Sequence, residues 1–363
     1  MQASAAGNGA PAERADADDL PEGSEPLRGV AARIVQNMEA SLHVPTATSF
    51  RDIPARLLEV NRAILNGHLG RTRGGKISFT HLIGYAVVRA IADAVPAMSN
   101  GYVEGPDGKP NVVRRPNVGL GIAIDIPKKD GSRSLVVPCI KDANLLDFAG
   151  FVEVYDDLIR RGRDGKLTLA DFEGVTVTLT NPGGIGTVQS VPRLMPGQGA
   201  IIGLGSIAYP TAFAAADPAK LAEIGVSKVV TVTSTYDHRI IQGAESGLFL
   251  KKLQELLMGE EDFYVDVLAS MHVPYDAVKW RRDVNPVDDE FSLVDRQVKV
   301  NTLVNNYRVR GHLIANLDPL GVMARGMHPE LDPASYGLTI WDLEREFLIE
   351  GLFGPQAAEG QTR

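Results

Sequence analysis

The sequence predicts an α+β fold, a layer sandwich in which helices cover a mixed β-sheet, and three observations predict it. Apolar residues make up 44% of the 363, enough to bury a substantial core. Helical periodicity comes first, over 28–43, 55–69 and 80–94, before any strand pattern. From residue 118 onward, runs dense in β-formers are broken by single helices without regular strand–helix–strand alternation, so a doubly wound parallel sheet is disfavoured.

Residues 1–25 are rich in Ala, Gly, Pro and acids and read as a disordered linker, as if the chain began within a longer polypeptide. The helix over 28–43 sets Val30, Ile34, Met38 and Leu42 four apart, and Pro45 stops it. PTATSFRDIP (45–54) reads as extended. Leu58, Ile64 and Leu65 are the apolar residues of the helix over 55–69. Ser78 or Thr80 can cap the helix over 80–94, where Ile83, Val87, Ala90 and Ile91 share a face.

VGLGIAIDI (118–126) and SLVVPCI (134–140) are strands on either side of KKDGSR, whose Asp130-Gly131 is a hairpin signal. A helix over 147–161 presents Phe148, Val152, Tyr155 and Leu158, and Thr168 can cap the turn TLADF that follows. GVTVTLTN (174–181) alternates Val and Thr like a half-buried strand. AIIGLGS (200–206) and KVVTVTSTYD (228–237) are further strands, and Gly259 closes a helix over 244–258.

The segment 26–272 therefore reads as one domain, and VPYDAVKWRRDVNPVDDE (273–290) as a polar linker. Beyond it lie a helix over 292–316 (Val294, Val298, Leu303, Tyr307, Leu313), a short helix near 340–348 and the patternless end GPQAAEGQTR. Residues 291–363 are too few for a second core and read as the start of another domain.

Composition narrows the function. A net charge of −8 counts against non-specific nucleic-acid binding. No apolar run is long enough to span a membrane, and the N-terminal residues, without a basic stretch and an apolar run, are not expected to be a signal peptide. The single cysteine, Cys139, sits within LVVPCI and reads as a buried small hydrophobe; no disulfide or zinc cluster is expected. These features fit a cytoplasmic protein.

Two motifs carry chemistry. TYDHRIIQGAESG (235–247) puts His238 at a strand-to-helix turn, where an exposed imidazole can move protons near neutral pH. TVTLTNPGGIGT (176–187) ends a strand at Thr180 before Asn181-Pro182-Gly183-Gly184, so its hydroxyl can donate to a developing oxyanion. Alone, each motif is also an ordinary structural feature. GLGIAI and GLGS lack the third glycine and the helix of a nucleotide-binding turn.

Together, VTVTLTNPGGIGTVQSVPRLMPGQGAIIGLG and VTSTYDHRIIQG resemble, in order and spacing, the acyltransferase (E2) components of 2-oxoacid dehydrogenase complexes. RIVQNMEASLHVPTATSF is similar to that family's opening helix, and SLVVPCIKDAN to its central strand, so the resemblance covers about 28–270. VKVNTLVNNYRVRGHLIANLDPLG and HPELDPASYGLTIWDLEREF resemble the start of the thiamine-dependent 2-oxoglutarate dehydrogenase (E1) component. That order of parts resembles the actinobacterial 2-oxoglutarate dehydrogenase/decarboxylases, of which this chain would be a fragment.

The resemblance implies a chloramphenicol-acetyltransferase-like two-layer sandwich followed by a short helical segment of a truncated E1 domain. It implies transfer of succinyl from dihydrolipoamide to coenzyme A in the tricarboxylic acid cycle. His238 would be the general base and Thr180 the oxyanion donor, supported by Asp237, Arg239, Gln242, Asn181 and Gly243, with no metal. Coenzyme A and lipoamide would be substrates; thiamine diphosphate and Mg²⁺ would belong to the missing E1 part. The site would lie between subunits of a homotrimer. The lipoyl group would arrive on the acyltransferase of the pyruvate dehydrogenase complex, with dihydrolipoamide dehydrogenase a further partner.

Two positions depart from the family's pattern: Gln242 stands where the family has Asp, and Pro45-Thr46 where it has Pro-His. Two other readings remain. One is a non-catalytic trimeric core that presents E1. The other is an acyltransferase that uses a soluble acceptor.

Overall fold

The computed structural model describes residues 24–28, 30–72, 74–127, 133–281, 290–315 and 327–348. The expected linker over 1–25 lies almost wholly outside the described residues. So do the Asp130-Gly131 turn, part of the 273–290 stretch and the GPQAAEGQTR end.

The first half runs α1 (Val30–Ser41), β1 (Thr46–Pro54), α2 (Arg56–Arg71), α3 (Phe79–Asp93), β2 (Gly101–Glu104), β3 (Pro110–Val113), β4 (Leu120–Ile122), β5 (Ile124–Pro127), β6 (Arg133–Val136) and β7 (Cys139–Ile140). Then come α4 (Phe148–Arg163), β8 (Val177–Thr180), β9 (Ala200–Leu204), α5 (Pro218–Glu223), β10 (Val229–Asp237), α6 (Gly243–Leu257), α7 (Phe263–Ser270) and α8 (Glu290–Arg310). Six strands form one sheet in the order β1-β10-β9-β8-β4-β7. β1–β10, β10–β9 and β4–β7 pair antiparallel, while β9–β8 and β8–β4 pair parallel. This is the mixed-sheet α+β architecture expected.

Side-chain alternation sorts the two faces of the sheet. On β10, Ser234 accepts a hydrogen bond from Ser246 of α6 at 3.1 Å, so Val230, Val232 and Tyr236 share the face toward the helices and join the core. Thr231, Thr233 and Thr235 point the other way; Thr231 bonds Asp52 and Thr235 bonds Thr48 across to β1. β8 follows the same rule, with Val177 and Leu179 in the core and Thr178 bonded to Gln198 on the opposite face. β8 is nonetheless covered on both faces, with Val177 0%, Thr178 4% and Leu179 1% exposed, so the half-buried expectation is corrected. The cause is its interior place between β9 and β4.

In the helical layer, Ser78 caps α3 by accepting the His81 N–H at 3.2 Å. Ile83, Val87, Ala90 and Ile91 are buried as expected. Tyr85 meets Phe148 of α4 and Phe263 of α7 at ring separations of 5.4 and 6.0 Å. Gly259, at φ +84°, turns the chain out of α6 toward α7.

Several expectations need correction. VGLGIAIDI and SLVVPCI each divide: β4 and β7 enter the main sheet, whereas β5 and β6 form a separate ribbon. The apolar residues Ile34, Met38 and Leu42 in or just beyond α1, and Val294, Val298 and Leu313 in or beyond α8, are exposed rather than turned into this chain's core. The 340–348 helix is only a 3-10 turn over Asp342–Glu344. Ile340 and Trp341 nevertheless join the main core, and Arg56 donates to the Ile340 carbonyl at 2.9 Å. The β2–β3 hairpin, α5 and α7 were not anticipated, because each is too short to show a period.

Candidate active site

His238 is held at the end of β10 by its backbone. Asp237 pairs with Thr46 of β1, and the His238 N–H donates to the Pro45 carbonyl at 2.9 Å. The imidazole Nδ1 lies 3.1 Å from the Ile241 carbonyl oxygen. A carbonyl can only accept, so this contact places the ring proton on Nδ1 and leaves the Nε2 lone pair free. The residue is exposed, with Tyr236 edge-on to its ring at 5.5 Å. The arrangement is that of a base with a fixed tautomer.

The residues next to His238 in sequence brace the turn. Asp237 is buried, and Arg239 reaches back to it with Nε–Oδ1 at 2.9 Å and Nη2–Oδ2 at 2.6 Å. Such a two-pronged charged contact is among the stronger hydrogen-bond geometries. The same guanidinium stacks over Tyr102 at 3.6 Å from the ring centre. Gln242 is the N-cap of α6, and its N–H donates to Glu245 Oε2 at 2.7 Å. Gly243 opens that helix.

Thr180 closes β8 on the sheet face away from the helices, aligned with Thr178 two residues earlier. Asn181 donates through Nδ2 to Thr80 Oγ1 at 2.8 Å, tying the residue after Thr180 to the first turn of α3. The loop that follows packs tightly on the end of β9. A Cβ at Gly183 would lie 2.2 Å from the Gly205 carbonyl oxygen, and one at Gly205 only 1.8 Å from that of Val188.

The two candidate catalytic residues do not meet within one chain. Thr180 is in register with Gly203 of β9, and Gly203 with Thr233 of β10. His238 lies five residues beyond Thr233 along β10. With about 3.3 Å per residue and about 4.8 Å per strand spacing, the separation is roughly 19 Å. The chain therefore holds two candidate half-sites: His238 with Asp237, Arg239, Gln242 and Gly243 at one end of the sheet, and Thr180 with Asn181 at the other.

Thr80 and Tyr102 are the site neighbours that sequence reasoning missed. Thr80 was readable only as a possible cap, and nothing in the sequence around Tyr102 signals Arg239. Burial pushes the Cys139 thiol up to about 11, so it stays protonated and inert, as its apolar surroundings suggested. Among the described residues, no three His, Cys, Asp or Glu side chains gather to hold a metal ion. Nor is any described helix long and apolar enough to cross a membrane.

Comparison with known proteins places these half-sites in context. The family described as 2-oxoacid dehydrogenases acyltransferase (catalytic domain) matches residues 20–264. A Mycobacterium sp. (strain JLS) protein named multifunctional 2-oxoglutarate metabolism enzyme is 51% identical over 351 residues, covering 96% of this chain and 27% of that protein. The 2-oxoglutarate dehydrogenase E1/E2 component of Corynebacterium glutamicum is 51% identical over 342 residues, 93% of this chain and 27% of its own length. The chain thus spans about a quarter of these curated relatives. A truncated catalytic core of the 2-oxoacid dehydrogenase multienzyme complex from Thermoplasma acidophilum aligns with TM-score 0.53 and 25% identity, over 65% of this chain and 98% of that one. Dihydrolipoamide acetyltransferase of Azotobacter vinelandii shares the fold, with TM-score 0.55, 22% identity and coverage of 72% and 99%.

Proposed function

The chain belongs to the 2-oxoacid dehydrogenase acyltransferase family, and on that premise we propose that it transfers a succinyl group from dihydrolipoamide to coenzyme A. The observation that carries the proposal is the Nδ1 contact of His238 with the Ile241 carbonyl, which leaves Nε2 as a free base on an exposed turn. A thiol like that of coenzyme A, with a pKa near 8.5, is mostly protonated at neutral pH, so a base is needed. His238 Nε2 takes the thiol proton, and the new thiolate attacks the thioester carbonyl. The Thr180 hydroxyl donates to the oxyanion of the tetrahedral intermediate. Collapse breaks the carbon–sulfur bond to dihydrolipoamide, whose sulfur takes the proton back from His238. No metal enters the scheme.

The opposed half-sites support a homotrimer in which Thr180 of one protomer faces His238 of the next. A closed cyclic assembly supplies such a pairing at every interface. The succinyl assignment rests on the 2-oxoglutarate-related names of the relatives. In the whole protein, we assign the lipoyl group to the acyltransferase of the pyruvate dehydrogenase complex and its reoxidation to dihydrolipoamide dehydrogenase. The E1-like segment 291–363 would begin the decarboxylating part. In this reading thiamine diphosphate and Mg²⁺ belong to that part, and no step here runs through them. A lone buried Cys139 fits a reducing cytoplasm.

The test is steady-state transfer from succinyl-, acetyl- and glutaryl-dihydrolipoamide. The proposal expects succinyl to have the highest kcat/KM, and His238→Ala to lower kcat by about 10²–10⁴. One observation favours the assembly-core reading: Gln242 replaces the family's Asp and serves as a helix cap. Unchanged coenzyme-A-dependent turnover in His238→Ala would establish that reading instead.

A further inference from the structure

Thr180 ends β8 in register with Gly203, and the chain leaves the sheet at the next residue. Asn181, at φ −125° and ψ 79°, departs from strand geometry and opens a 3-10 turn over Pro182–Ile185. On the sheet side this turn is wedged in place, since a Cβ at Gly183 would lie 2.2 Å from the Gly205 carbonyl oxygen. On the helix side its tie is the bond from Asn181 Nδ2 to Thr80 Oγ1 at 2.8 Å.

Thr80 is itself held from behind. It stands in the first turn of α3, one residue before His81. The His81 Nδ1 accepts the Ser78 N–H at 3.2 Å, and its Nε2 lies 3.2 Å from Asp156 Oδ1 of α4. Tyr155, next to Asp156, meets the His81 ring edge-on at 4.4 Å and hydrogen-bonds the Thr80 hydroxyl. His81 and Tyr155 are both buried, so they fix the start of α3 against α4. A hydroxyl carries one donor and two acceptor sites, so Thr80 can serve Tyr155 and Asn181 at once. The series Tyr155–Thr80–Asn181 thus runs from the helical layer to the residue after Thr180. Threonine is β-branched with a restricted χ1, so the direction of the Thr180 hydroxyl follows its backbone. An oxyanion donor works only from the right position, and a small misplacement is costly in rate.

We infer that Thr80 is a positioning residue for the transfer: through Asn181 it fixes the exit from β8 and, with it, the direction of the Thr180 hydroxyl. The inference rests on the acyl-transfer reading and deepens it, adding to the Thr180 half-site a residue that acts through another.

The experiment measures kcat and KM of acyl transfer for the whole chain and for Thr80→Val, Thr80→Ser, Thr180→Val and the double variant Thr80→Val/Thr180→Val. Valine keeps the shape of Thr80 and removes its hydrogen bonds, whereas serine keeps them. The expected result is a fall in kcat of about three- to tenfold in Thr80→Val at unchanged KM, the scale of one lost hydrogen bond, with most of the rate returned in Thr80→Ser. In the Thr180→Val background no hydroxyl is left to direct, so Thr80→Val costs nothing further. That masking separates positioning from a merely structural role, which would lower kcat in both backgrounds alike. A kcat within about twofold of wild type in Thr80→Val, or an equal fall in both backgrounds, overturns the inference while acyl transfer stands. Should Thr80→Val not fold, Asn181→Ala removes the same bond from its exposed end, and the same outcomes decide. Should the unaltered chain transfer nothing, the acyl-transfer reading fails and the inference falls with it.

Discussion

Thr180 and His238 stand at opposite ends of one sheet, linked by the register Thr180–Gly203–Thr233 and then five residues of β10. A hydroxyl roughly 19 Å from the base, by strand spacing, cannot act on the same carbonyl. In the proposed acyl transfer, each residue is therefore completed by another protomer.

Thr180 is expected to act on the transition state alone. Thr180→Val keeps the shape of the side chain and removes the donor. Its kcat should fall by about 10²-fold with little change in KM, and Thr180→Ser should restore most of the rate. A rise in KM at constant kcat would show that Thr180 binds ground-state substrate instead.

Asp237 holds the His238 turn through Arg239. Asp237→Asn leaves that guanidinium without its buried counter-charge. Because the Arg239 side chain is 30% exposed and that of Asp237 only 1%, the cost should stay below that of a fully buried broken pair, at about 2 kcal/mol. Urea denaturation measures it; an unshifted midpoint would show that the turn is held by its backbone bonds alone.

His81 makes stability depend on pH. Burial pushes its imidazole below the ordinary 6.5, against the opposing pull of Asp156. Its Nδ1 also accepts the Ser78 N–H at 3.2 Å, which only the deprotonated nitrogen can do. The native state thus binds the proton less readily than the unfolded chain. Its stabilisation is complete above about pH 6.5 and is lost as pH falls below that value. Melting temperature should drop more steeply from pH 7 to pH 5 in wild type than in His81→Gln. Parallel curves would remove His81 as the source.

Gly205 is the place where the loop after Thr180 meets the sheet. A Cβ there would come within 1.8 Å of the Val188 carbonyl oxygen, so Gly205→Ala must displace backbone. A destabilisation of about 1–3 kcal/mol is expected, together with a lower kcat, since the displaced loop begins at Asn181. Thermal melts and acyl-transfer rates check both.

How far the sequence could be read depended on where each residue's partners lie. The Ser78 cap, the Ile83–Val87–Ala90–Ile91 face and the Val/Thr alternation of β8 are local patterns, and all are found in the structure. The separation of β4–β7 from β5–β6 was hidden, because strand pairing is non-local and one continuous apolar run can serve two sheets. The stripe Ile34–Met38–Leu42 was legible as apolar but not as exposed, since period alone does not say what a face packs against. At the proposed site, His238 and Thr180 were singled out by motif. The fixed tautomer and the Asn181–Thr80 bond follow only from the fold.

The most direct test of the shared site mixes two disabled chains. His238→Ala and Thr180→Ala proteins, each of low activity alone, are unfolded, combined in equal amounts and reassembled. If every site takes His238 from one protomer and Thr180 from its neighbour, random trimers should recover about a quarter of wild-type transfer activity. Activity no higher than that of the two separate proteins would contradict the account.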